Sequence, residues 1–191
     1  MRRVVPLIAA LALLGGCSQA TDGSANPGGS TSTTAAGGTS AKATSASKEP
    51  AKRPKTINIA DVDPCTLLTE AERAGFGLDR PPQPSDDPGK KGCTISREDR
   101  TYFVGVTADT TAGIDDYAES DGKVTKLEVG GFPALLVEAD TDLGLSCSVA
   151  VDVSDGQVVD VGAFSLGETN IPALCRIAQS VAAAVVTNLN K

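Results

Sequence analysis

Apolar residues recur most regularly at the end of the chain, where Leu174, Ile177, Ala178, Val181, Val185 and Leu189 are separated by three or four residues. That spacing puts them on one stripe of a helix. Asn170 or Thr169 can cap it, and Pro172 sits in its first turn. Upstream the period changes to two. Leu145 to Val153 and Gln157 to Phe164 flank Asp155-Gly156, a pair suited to a tight hairpin turn because both positions tolerate positive φ. Alternation places Cys147, Val149, Val151 and Val153 on one face, read as the core face, and Ser146, Ser148, Ala150 and Asp152 on the other. Two further pairs read as hairpins: Cys93–Ser96 with Thr101–Ala108, and Val124–Val129 with Ala134–Ala139 around Gly130-Gly131.

Helix punctuation precedes the strands. Asp63 before Pro64 predicts a capped turn through Leu68, and Thr69 caps a short helix from Glu70 to Ala74 that stops at Gly75. A third short helix is predicted over Gly113 to Glu119. Arg80 to Gly92, with Pro81, Pro82, Pro84 and Pro88, reads as a loop. The pattern as a whole predicts an α+β domain: an antiparallel sheet of about six strands, short N-terminal helices and one long C-terminal helix.

The other apolar run is at the start. Arg2 and Arg3 precede Val4 to Leu14, too short for a span of ~20 residues, so residues 1–16 read as a removable secretory signal. Leu14-Gly15-Gly16-Cys17 has the form of a bacterial lipobox, in which the cysteine is acylated and becomes the first residue of the mature chain. Residues 17–56 would then be the lipidated Cys17 and a tether. From Ser18 to Thr56 the tether has no Leu, Ile, Val, Met or aromatic residue, too little apolar surface to offset its ordering entropy. Residues 57–191 would form the single domain.

Four cysteines remain: Cys65, Cys93, Cys147 and Cys175. In an exported chain they read as two disulfides with three possible connectivities. The sequential pairing is preferred because its two loops are equal in length and each ties a helix to a strand.

Composition removes much chemistry. The 191-residue chain has no His and no Trp, which excludes Ser-His-Asp and Cys-His nucleophilic sites and His-ligated zinc. From Ile57 onward 22 acidic residues face 10 basic ones, a balance that repels nucleic acid and anionic lipid. The tether is basic, with Lys42, Lys48, Lys52, Arg53 and Lys55 against Asp22 and Glu49. The nearest approach to a metal loop, Tyr117 to Glu128, has Tyr117 where calcium needs an oxygen ligand such as Asp. Asp115-Asp116 and Asp140 with Asp142 are read as solvated acids rather than a general acid–base pair. No cofactor motif is present, since Gly130-Gly131 leads into a strand and not a helix.

Asp63-Pro64-Cys65-Thr66-Leu67-Leu68-Thr69, the cysteine 28 residues on, Cys147 to Val153, and Cys175 followed by Ala178, Val181, Ala182, Val185 and Asn188-Leu189 together resemble an actinobacterial lipoprotein family, that of domain of unknown function 3558. Thr94-Ile95 departs from the aromatic residue expected after the second cysteine. The resemblance implies a secreted, lipid-anchored α+β domain related to PsbP-like folds. It implies no activity and supplies no catalytic residue.

The expectation is therefore a non-enzymatic cell-envelope lipoprotein held on the extracytoplasmic face of the membrane by its N-terminal lipid. It would act as an interaction or accessory module for an envelope protein or sensor; the alternative is a small-ligand or lipid-binding module. The expected contact element is Arg80 to Gly92, with Asp86, Asp87, Lys90 and Lys91 offering charges of both signs, and after it the acidic sheet face around Asp152 and Asp160.

Overall fold

The computed structural model describes residues 52–142, 144–165 and 170–191. Cys17, the signal segment and the tether up to residue 51 lie outside the described residues. Seven strands form one antiparallel sheet: β1 (Gln83–Asp87), β2 (Lys90–Ser96), β3 (Tyr102–Asp109), β4 (Lys123–Val129), β5 (Phe132–Thr141), β6 (Gly144–Ser154) and β7 (Gln157–Ser165). Their spatial order is β1-β2-β3-β7-β6-β5-β4. Two runs of neighbouring hairpins therefore meet at the β3–β7 pair, and the connection from β3 to the far edge carries α2 (Ile114–Ala118).

The seventh strand, β1, corrects the sequence reading of Arg80 to Gly92 as a loop. Gln83 to Asp87 pair with Lys90 to Thr94 around a Pro88-Gly89 turn. Pro84 is tolerated because β1 is an edge, where a missing N–H breaks no second ladder. Gly89 takes φ +76° in the turn.

The helices start where their caps predict. Asp63 accepts the Cys65 N–H at the head of a single 3-10 turn, Pro64–Thr66. Thr69 and Glu72 form a reciprocal capping box on α1 (Glu70–Gly75), and Asn170 caps α3 (Ile171–Leu189) through the Ala173 N–H. Length and apolarity alone would let α3 cross a membrane. Its stripe is instead packed on the sheet: Leu174, Ala178, Val181, Ala182 and Val185 are buried against Val149, Val151, Val159 and Val161. Valines on the strands and alanines on the helix let the two layers approach closely, which suits a core with few aromatics.

Each disulfide joins a helical element to a strand. Cys65 is bonded to Cys93 and Cys147 to Cys175, both with Cα atoms 5.0 Å apart and a sequence separation of 28. The sequential pairing is the one the fold adopts.

The second sheet face is not simply polar, as strict alternation suggests. Ala150 and Val158 are buried there, with Leu135, beneath Ile114 and Tyr117 of α2. The sheet centre is thus covered on both sides, by α3 on one and partly by α2 on the other. A bulge interrupts the β6–β7 ladder between Asp152 and Ser154.

Candidate functional site

The face carrying α2 holds the chemistry, because α2 is only five residues long and leaves much of the sheet uncovered. Three neighbourhoods lie on it. The first is a buried acid at the end of β3. Asp109 is fully buried; its Oδ1 accepts from the Thr111 N–H at 2.8 Å and hydroxyl at 2.7 Å, and its Oδ2 from the Tyr117 hydroxyl at 3.1 Å. Lys90 Nζ lies 2.9 Å from Oδ2. Burial acts to raise the Asp109 carboxyl, but Lys90, both Thr111 donors and Tyr117 outweigh it, and the pKa falls below the usual value. The Tyr117 phenol moves the other way, raised by burial and by Asp160 and Asp109 nearby.

Asp160 of β7 shares this environment without the same partners. Its Oδ1 is buried with no hydrogen bond. Burial pushes the carboxyl up to about 7; Ser148 and Lys90 pull it down, and Asp109 adds to the rise.

The second neighbourhood is aromatic. Phe103 of β3 and Phe164 of β7 are cross-strand neighbours whose rings stack with centroids 4.9 Å apart and planes 14° from parallel. The Phe164 ring lies over glycine: a Cβ on Gly162 would come within 2.6 Å of it, and one on Gly105 within 3.6 Å. Both phenylalanines are half-buried, on the part of the face that α2 does not reach.

The third is a surface cleft of about 750 Å³ between α2, the β6–β7 turn and the β4–β5 hairpin. Ile114 and Leu135 supply its apolar wall, Asp116 and Asp152 its acidic one, and Arg53 and Lys126 its cations. Burial raises the Asp152 carboxyl, and its ion pair with Arg53 opposes the rise.

The residues expected to contact a partner separate. Lys90 is committed to Asp109, and Lys91 Nζ donates to the Ala60 carbonyl at 2.8 Å. Asp86 and Asp87 are exposed on β1, where they pair in register with Lys91 and Lys90 and border a small hollow of about 170 Å³ beside Ile59 and Ala108. Asp152 and Asp160, expected on one acidic face, share the α2 side of the sheet but belong to different neighbourhoods. Tyr117, in place of a calcium ligand, serves Asp109. Among the described residues no group of three His, Cys, Asp or Glu side chains is placed to hold a metal ion.

Sequence reasoning missed Asp109 and Arg53. Asp109-Thr110-Thr111 at the end of a strand does carry the signal of an Asp side chain turned back on its own backbone. Arg53 carries none, because its partners lie about a hundred residues away.

The fold defines a disulfide-stapled α+β domain, with one long helix on a single open antiparallel sheet and a second face left largely bare. The chain belongs to the DUF3558 family, described as a protein of unknown function, whose family model matches residues 12–188. No curated protein and no solved structure matches the chain.

Proposed function

We propose that this protein is a lipid-anchored module on the extracytoplasmic face of the cell membrane, acting by surface contact with an envelope protein. The Leu14 to Cys17 motif supports the anchor, and two disulfides suit an oxidising compartment. The observation that carries the contact reading is the half-exposed Phe103–Phe164 pair on the bare part of the sheet. Stacked aromatics at one end of the central β3–β7 pair, with Ser96 and Ser146 as their cross-strand neighbours, have the make-up of an interface core and rim. The absence of histidine from the chain supports a non-enzymatic role.

The anchor and the contact are tested separately. Cys17→Ser should leave an unprocessed precursor that no longer enters the detergent phase; unchanged processing and fractionation would remove the anchor. Phe103→Ser with Phe164→Ser should lower cross-linking to envelope proteins while the domain, though less stable, still unfolds in one cooperative transition well above the assay temperature. Undiminished cross-linking would remove this face as the contact.

The cleft beside α2 supports a second reading, a small-ligand module, because about 750 Å³ lies within the range of ligand pockets. Mass spectrometry of the native protein would show a co-purifying small molecule that Leu135→Glu displaces.

A further inference from the structure

The chain enters the domain across the end of the sheet formed by the β4–β5 and β6–β7 turns. Pro54 packs at the first of these, where a Cβ on Gly131 would lie 3.5 Å from its Cγ. Lys55 reaches the α3 layer, its Nζ donating to the Asn190 carbonyl at 3.3 Å. Arg53 reaches the other layer. Its Nε is 3.0 Å from Asp152 Oδ2, its Nη2 donates to Asp155 Oδ1, and its side chain is only 14% exposed. The Ile57 N–H donates to the Val153 carbonyl at 2.9 Å, a carbonyl at the β6–β7 bulge, and the Ile59 N–H donates to Gln157 Oε1 at 2.9 Å.

We propose that residues Lys52 to Thr56 form a latch: Arg53, seated between Asp152 and Asp155, clips the incoming chain to the domain and closes one end of the cleft beside α2. Its release frees the chain back to Ile57 and opens the acidic wall of that cleft. The latch does not depend on the lipid anchor or on the aromatic face.

The two aspartates give the contact a closed and an open form. Asp152 lines the cleft and is 4% exposed with Arg53 seated over it, so closure pairs its carboxylate beside Asp155 and Asp115, and release returns it to the water of the cleft. Asp155 is 94% exposed, so half of the grip on Arg53 is held in water, where salt screens it. The bonds from the Ile57 N–H to the Val153 carbonyl and from the Ile59 N–H to the Gln157 side chain lie downstream of the arginine and keep the fold when it leaves. A guanidinium or ammonium presented from outside is the chemistry that would replace Arg53 at Asp152.

Limited trypsin digestion of the full, oxidised chain tests the latch at the Lys55–Thr56 bond, since Arg53-Pro54 resists the protease. The parent should be cut slowly at low salt and faster as salt rises. Arg53→Gln should be cut about tenfold faster, independently of salt, with a melting temperature near the parent's. Asp155→Asn, at an exposed site that threatens no core contact, should lie between them, and combining it with Arg53→Gln should add nothing. Parent-like cutting of Arg53→Gln would overturn the latch. So would a large drop in its melting temperature, which would make Arg53 part of the scaffold.

Discussion

Asn188, in the last turn of α3, donates its Nδ2 both to the Leu67 carbonyl at 2.8 Å and to Glu72 Oε2 at 2.9 Å, joining residues 121 and 116 apart in sequence. The same Glu72 oxygen accepts the Thr69 N–H and hydroxyl, so one carboxylate closes the α1 cap and docks the last helix onto the first. Those Thr69 bonds are the main reason the Glu72 pKa lies below the usual value, with Asn188 adding to the effect. Asn188→Ala should cost about 1 to 2 kcal/mol, read from urea unfolding. It should also raise the Glu72 pKa, measurable by NMR titration. No change in either would show that the caps hold without α3.

Asp160 predicts an inverted pH response. Unfolded, its carboxyl loses the proton near pH 4; folded, it keeps it up to about 7. Over that window the folded state binds more protons, so this group makes stability fall as pH rises, and the loss is complete above the folded value. Asp160→Asn should therefore match the parent near pH 4 and exceed it at pH 8 by on the order of 2 to 4 kcal/mol. A constant difference across the range would place the ionisation elsewhere.

The glycine floor beneath Phe164 predicts opposite outcomes for two identical substitutions. Gly162→Ala drives a methyl to 2.6 Å from the ring, so the ring must swing away and lose its stack on Phe103, at a cost of about 1 to 2 kcal/mol. Gly105→Ala places its methyl at 3.6 Å, ordinary contact, and should be neutral or slightly stabilising. Ring-current shifts and thermal melts distinguish the two. Equal effects would mean that strand entropy, not the ring, decides.

Each cystine closes a loop with a sequence separation of 28, and its removal should cost about 3.5 kcal/mol in denaturant unfolding. The variant Cys147→Ala with Cys175→Ala should lose more than its counterpart, because Cys147 is fully buried beneath α3 and leaves a void. The reverse order would argue that the N-terminal staple carries the stability.

Elements specified by neighbouring residues were legible in the sequence. Asp63, Thr69 and Asn170 mark helix starts, Asp155-Gly156 marks a two-residue hairpin turn, and the Leu174 to Leu189 stripe marks the helix that meets the core. What needed the fold was whatever depends on a distant partner. Pro84 argues against a strand until β1 proves to be an edge. Alternation in β6 shows one apolar face, and only the placement of Ile114 and Tyr117 buries Ala150 on the other. Lys90 and Lys91 look like surface charges until Asp109 and the Ala60 carbonyl engage them. Arg53 sits in a segment whose composition resembles a tether, and its docking depends on Asp152 and Asp155.

Neither staple crosses the β3–β7 pair. Cys65–Cys93 lies wholly on the β1–β3 side and Cys147–Cys175 wholly on the β4–β7 side. If that ladder opened, each half would still be tied shut by its own disulfide. Oxidation sets how far the halves can come undone, while the ladder, with contacts such as Asn188 to Glu72 that bridge it, sets when they separate. Hydrogen bonds and packing hold that boundary, with neither disulfide across it.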